Sequence, residues 1–221
     1  MTLYIISTPI GNLEDVTLRA LRLLKEVDLI LAEDTRQTGK LLNRYEIKNS
    51  IDSYNDHNKE RKTKHVIKLL QEKKEIAIVS DSGTPGISDP GFYLIRECVK
   101  NDLKVVPVPG ANAVTSALVS SGLATDKFKF MGFLPKKIVA KEHIFNEVKE
   151  QNITTIFYES PHRIIKTLKT MKEIIPDREI CVAREMTKKF EELIRGNSSS
   201  VYERLKDKKI KGEITIVIGK F

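Results

Sequence analysis

Along the first half of the chain, short β-branched runs alternate with stretches whose apolar residues recur every three or four positions, the pattern of an α/β domain built on a largely parallel sheet. Strands are predicted at Leu3–Ser7, Asp28–Ala32, Ile76–Ser80 and Lys104–Val108. Between the first two, Val16, Ala20, Leu23, Leu24 and Val27 fall on one helical face, and Asp15 is the expected cap of that helix. A second helix is expected from Lys59 to Lys73 with Val66, Leu69 and Leu70 facing inward, and a third after Asp89-Pro90-Gly91. Beyond Gly122 new apolar runs appear at Phe128–Leu134, Ile153–Tyr158, Ile180–Ala183 and Ile214–Ile218, with helical patterns between them and no repeat of the first half. The expected division is 1–114 and 115–221, in the turn-to-helix region after Pro109-Gly110.

The longest uncharged run, Val105 to Thr125, has the length of a membrane span, but it carries two prolines, two glycines, an asparagine and several hydroxyl residues. A strand, a turn and a buried helix account for it better. The N-terminus shows no basic segment ahead of an apolar one, so no signal peptide is read there and a cytoplasmic location is expected. Cys98 and Cys181 stand alone, and His57, His65, His143 and His162 are scattered, so no metal site or disulfide framework is expected. A composition with 31% charged residues, 40% hydrophobic ones and a net charge of +8 describes a folded protein with a bias toward polyanionic partners. Lys136, Lys137, Lys141, Lys188 and Lys189 are the expected basic surface.

Chemistry is sought where turn-rich segments follow predicted strands, because ligands of parallel α/β sheets bind at the carboxyl ends of strands. Ser7-Thr8-Pro9-Ile10-Gly11-Asn12-Leu13 is uncharged and carries neither GxGxxG nor GxxxxGK[ST]; it reads either as a plain turn or as a ligand contact. The twelve residues Ser80–Gly91 hold three glycines and two prolines among exposed amides and hydroxyls, which suits a polar ligand such as an amino acid or a nucleoside. Val106–Ala113 turns a strand end into a helix start. The charged clusters Glu33-Asp34-Thr35-Arg36 and Tyr158-Glu159-Ser160-Pro161-His162-Arg163 suit acid–base work or substrate clamping, and equally suit capping and ion pairing.

Taken in order, Tyr4–Leu13, Asp15–Ala20, Ala32–Arg36, Asp81–Pro85 with Ile87–Gly91, Tyr158–Arg163 and Ala183-Arg184-Glu185 resemble the ribosomal RNA small subunit methyltransferase I branch of the tetrapyrrole methylase superfamily, from Leu3 to about Gly219. The resemblance implies a two-domain α/β fold with a largely parallel N-terminal sheet and a mixed-sheet C-terminal domain, usually a homodimer, that binds S-adenosylmethionine in a cleft between domains. It implies that Pro9, Asp81, Ser82, Gly83, Thr84, Ile87, Asn112 and Ala113 line the cofactor site, with Tyr158, Glu159 and Ala183 as its second wall. Ser82 stands where alanine is usual and Asn112 where a smaller residue is usual, and many relatives continue past the final strand. The implied reaction is 2′-O-methylation of a cytidine ribose in small-subunit ribosomal RNA, without metal. Glu33, Asp34, Arg36 and Glu159 are candidate catalytic residues, with Asp81 and Glu185 further candidate bases and Arg36, Arg163 and Arg184 candidate phosphate contacts. A small-molecule tetrapyrrole methylase and a non-catalytic ribosome-associated RNA-binding protein stand as the alternatives.

Overall fold

The computed structural model describes all 221 residues, which divide into two compact units, Met1–Asn112 and Ala113–Phe221. The first unit runs β1 (Thr2–Ile6), α1 (Leu18–Glu26), β2 (Leu29–Ala32), α2 (Thr35–Arg44), β3 (Ile51–Ser53), α3 (Lys59–Gln71), β4 (Glu75–Val79), α4 (Phe92–Lys100) and β5 (Lys104–Val108). Its strands form one parallel sheet in the order β3-β2-β4-β1-β5. Both faces are covered, so successive residues of a strand serve opposite cores. Ile30 and Ala32 pack with Ala20, Leu24 and Leu42 of α1 and α2. Leu31, with Ile76 and Ile78 of β4, packs with Val66, Leu70, Leu94 and Cys98 of α3 and α4.

This topology locates the functional end of the sheet. The connections through α1 and α2 run toward the β3 edge on one face, and those through α3 and α4 run toward the β5 edge on the other. β1 and β4 are hydrogen-bonded neighbours whose following segments leave in opposite directions. Their carboxyl ends are therefore the topological switch point at which such sheets open a crevice for ligands.

The second unit runs α5 (Ala113–Ser121), β6 (Phe128–Phe133), α6 (Ile138–Glu150), β7 (Thr154–Glu159), α7 (Ile164–Ile174), β8 (Glu179–Arg184), β9 (Glu192–Asn197), α8 (Ser198–Leu205) and β10 (Ile214–Ile218). Its sheet is mixed, in the order β6-β7-β10-β8-β9, with β6 and β7 parallel and the remaining pairs antiparallel. β10 is its middle strand and is buried throughout. Ile214, Ile216 and Ile218 join the core under α6, α7 and α8, while Val217 faces α5 with Val114 and Leu118.

Several expectations need correction. Asp15 does not cap α1; it ends a short 3-10 turn, and the Thr17 hydroxyl accepts the Ala20 amide instead. The start of α2 at Thr35 and strand β3 lie in stretches for which no element is predicted, and strand β9 lies where only helical pattern is predicted. The uncharged run from Val105 resolves into β5, a turn and α5, and no helix is long and apolar enough to cross a membrane.

Candidate functional site

The segments after β1, β4 and β5 interlock at the switch point. Thr8 and Gly83 exchange backbone hydrogen bonds of 2.8 and 3.1 Å, forming an isolated antiparallel bridge between the two loops. The Thr8 hydroxyl donates to the Ser80 carbonyl at 3.0 Å, and the Ser7 and Thr84 hydroxyls lie 2.9 Å apart. The Asn112 amide reaches the Thr84 hydroxyl at 3.5 Å. Gly83 adopts φ +80, the left-handed region that favours glycine, and a Cβ there would meet the Ile10 side chain at 3.4 Å, an ordinary contact distance. Hence Pro9, Gly83, Thr84 and Asn112 gather with Ser7 and Thr8 around one point. Ser82 and Ile87 belong to the same loop, Ile87 with 42% of its surface exposed. Ser7, Thr8 and Ile10 carry this assembly without having been singled out individually; their signal is their position directly after β1.

Beside it, the ends of β2 and β4 bring carboxylates together. The Asp34 amide donates to Asp81 Oδ1 at 3.0 Å, and the Asp81 amide to Glu33 Oε2 at 3.4 Å. Burial raises the Glu33 carboxyl above the usual range, and the negative charges of Asp81, Asp56 and Asp34 add to the rise. Asp81 is raised by partial desolvation and by the Asp34 charge. Asp34 behaves oppositely. Its side chain caps α2 through the Arg36 amide at 2.8 Å and holds the Arg36 guanidinium through two further bonds of 3.0 and 2.7 Å. These bonds lower its carboxyl to about 2. Asp34 and Arg36 thus satisfy each other, whereas Glu33 and Asp81 are the two carboxylates here whose environment favours holding a proton.

The second unit places its expected residues in other surroundings. Tyr158, Thr215 and Ala183 share one register row across β7, β10 and β8 on the α5 face, with Ala183 fully buried and Tyr158 half-buried. Ala113 opens α5 and is half-buried. Glu159 has no exposed side-chain surface. It accepts from Lys141 Nζ at 2.8 Å, Thr167 Oγ1 at 2.5 Å, Arg163 Nη2 at 2.7 Å and its neighbour's amide, Ser160 N, at 2.7 Å. With its lone pairs taken, this carboxylate is a fastener for α6, β7 and α7 and has no free acceptor for a substrate proton. Lys141 is consequently lost from the expected basic surface, being 3% exposed. Glu185 is similarly engaged by the Glu213 amide and Lys188, and Lys188 also pairs with Glu213. Arg184 pairs with Glu192, while Lys136, Lys137 and Lys189 remain exposed.

A doubly covered parallel sheet with a candidate site at its switch point, followed by a mixed five-stranded unit, defines a two-unit α/β protein without a dinucleotide or P-loop fingerprint. Residues 2–202 match the family of Tetrapyrrole (Corrin/Porphyrin) Methylases, and the chain belongs to that family of methyltransferases. It is 48% identical to the ribosomal RNA small subunit methyltransferase I of Halalkalibacterium halodurans, across 98% of this chain and 75% of that one. The protein of that name from Thermotoga maritima is 49% identical across 98% of this chain and 97% of its own length. Among solved structures, a uroporphyrin-III-C-methyltransferase from Thermus thermophilus superposes with a TM-score of 0.67 at 19% identity, covering 99% of this chain and 94% of that one. A diphthine synthase superposes with a TM-score of 0.75 at 12% identity, covering 99% and 90%. These two likenesses concern the fold.

Proposed function

We propose that the protein transfers the methyl group of S-adenosylmethionine to a cytidine ribose 2′-hydroxyl in small-subunit ribosomal RNA. The observation that carries this reading is the near full-length identity of 48–49% to proteins named for that RNA. The residues at the switch point suit the cofactor chemically. Hydroxyls of Ser7 and Thr84 and the Asn112 amide offer donors and acceptors for its polar groups, Ile87 offers apolar surface, and Gly83 lets backbone approach a ligand. When bound, the cofactor supplies an already activated methyl group, so the protein's task is alignment and proton removal.

The proton of the acceptor hydroxyl goes to Glu33 or Asp81 in this scheme, because both carboxyls have a raised proton affinity and neither is consumed by a cation. Asp34 and Arg36 shape the start of α2 beside them. Glu159 is not retained as a base, since four donors already occupy it. A calorimetric titration with S-adenosylmethionine, followed by mass spectrometric mapping of methylated ribose in small subunits incubated with the protein, tests the reading. Absence of cofactor binding, or a methyl group delivered to a porphyrinoid and not to RNA, overturns it.

A further inference from the structure

β6 is an edge strand, and its far end is built unlike the rest of the sheet. Its pairing with β7 shifts register between Phe130 and Phe133, with Gly132 at φ +68. Such a bulge re-aims the following side chain. Leu134 is drawn into the core, with its amide bonded to the Tyr158 carbonyl at 3.1 Å, while Phe133 is turned outward with 60% of its surface exposed. The Phe133 ring is nonetheless held, its centroid 5.3 Å from that of Tyr158 in an edge-to-face contact, and Phe130 braces Tyr158 from 4.8 Å. An exposed aromatic ring fixed by a second ring is a preformed stacking surface, which loses little conformational freedom on binding.

Charge says what stacks there. Directly after Phe133-Leu134-Pro135 come Lys136 and Lys137, both exposed and neither in an ion pair, at the N-terminal end of the thirteen-residue helix α6. Most other lysines near this edge are spent: Lys129 is tied to Glu147 and Lys141 to Glu159. The base of the loop is fastened by Arg163, which donates to the Leu134 carbonyl at 3.3 Å while paired with Glu159 at 2.7 Å. An unpaired polyanion with flat bases satisfies both features, the ring by stacking and the lysines by phosphate contact.

We infer that Phe133, with Lys136 and Lys137, forms a docking surface for single-stranded RNA in which a base stacks on Phe133 and the two lysines hold adjacent phosphates. This deepens the proposed RNA substrate and rests on that reading. The test measures binding of purified small ribosomal subunits and of a short single-stranded RNA by the full chain, with S-adenosylmethionine affinity and sedimentation recorded on each sample. Phe133→Leu keeps apolar bulk and should weaken RNA binding about tenfold, whereas Phe133→Trp should retain it. Lys136→Gln with Lys137→Gln should lower the slope of log affinity against log salt by about 0.7 for each lost phosphate contact. Cofactor affinity should be unchanged in all three. If the parent protein methylates small subunits and the Leu and Gln variants bind RNA as the parent does, this docking surface is refuted and the proposed function stands. Failure of the parent itself to bind or methylate small subunits refutes the proposed function. A dimer dissociated by Phe133→Leu, with RNA affinity intact, reassigns the edge to a second copy and overturns the inference.

Discussion

Lys141 and Glu159, eighteen positions apart on α6 and β7, meet as a buried ion pair at 2.8 Å, with Thr167 of α7 and Arg163 just before it closing the arrangement. Removing one member of such a pair leaves the other charge without full compensation in a poorly solvated place. Lys141→Met should therefore lower unfolding stability by about 2–3 kcal/mol, near the lower end for buried pairs because Arg163 still serves Glu159. Adding Glu159→Gln should cost less in the Lys141→Met background than in the parent. Urea denaturation of the four proteins measures the coupling; strictly additive losses would show that the two side chains do not support each other.

Gly83 is held at φ +80 by the bridge between Thr8 and Gly83. Gly83→Ala should cost about 1–2 kcal/mol through left-handed backbone strain. Gly83→Val adds branches in the direction of Ile10, 3.4 Å from the position of the Cβ, and should abolish detectable cofactor binding. Thermal melts with and without S-adenosylmethionine separate these effects, because ligand binding to the folded state raises the midpoint only where the site survives. A full ligand-induced shift in Gly83→Val would remove the glycine from the site.

The elements legible from pattern are those in which burial and period agree. β5 and β10 have the same bounds in sequence and structure: β10 is a continuous β-branched run buried throughout, whereas β5 is marked by its valines between Lys104 and the Pro109-Gly110 turn although only Val108 is buried. α2 is missed because Thr35–Arg44 is polar apart from Leu41 and Leu42, and its start is declared only by Asp34 acting as a cap. β9 is missed because among Glu192–Asn197 only Ile194 is buried. The loops of the site are legible because glycine and proline mark them, whereas the roles of charged residues are not. Lys141 reads as a surface cation until a carboxylate from β7 is found beneath it, and nothing local in Tyr158–Arg163 shows that Glu159 is fully paired.

Asp34 makes a pH-dependent contribution whose sign follows from its lowered carboxyl. Bonds from Arg36 bring its folded value from 3.8 to about 2, so the ionised form favours the folded state. The contribution is complete above the unfolded value and is lost as pH falls through the interval from about 4 to about 2. Asp34→Asn should flatten that part of the acid limb relative to the parent in melting experiments between pH 5 and about 2. Unchanged acid sensitivity would mean that the Arg36 contact does not persist in solution. Cofactor affinity at neutral pH should move little.

Glu33 and Asp81 carry the opposite sign, and this makes the catalytic assignment testable. Their folded values are raised, so the protonated forms favour the folded state, and stability is lost as pH rises through those folded values. At neutral pH each ionised carboxylate is therefore a cost, since Glu33 lies among Asp81, Asp56 and Asp34. Glu33→Gln and Asp81→Asn should each raise the melting temperature at pH 7, because the amide relieves both desolvation and like-charge repulsion while keeping the shape. A carboxylate retained at such a cost is expected to act on substrate, and the base should lose turnover about a hundredfold or more on substitution. Single-turnover methyl transfer to small subunits, with cofactor affinity measured in parallel, identifies which of the two it is: stability rises in both variants, but the rate collapses in the one that takes the proton. The rate of the base-bearing protein should also climb with pH through the raised carboxyl value, and the substituted protein should lose that dependence. Parental rates in both variants would free this carboxylate group from catalysis altogether, leaving the acceptor proton to be lost directly to water.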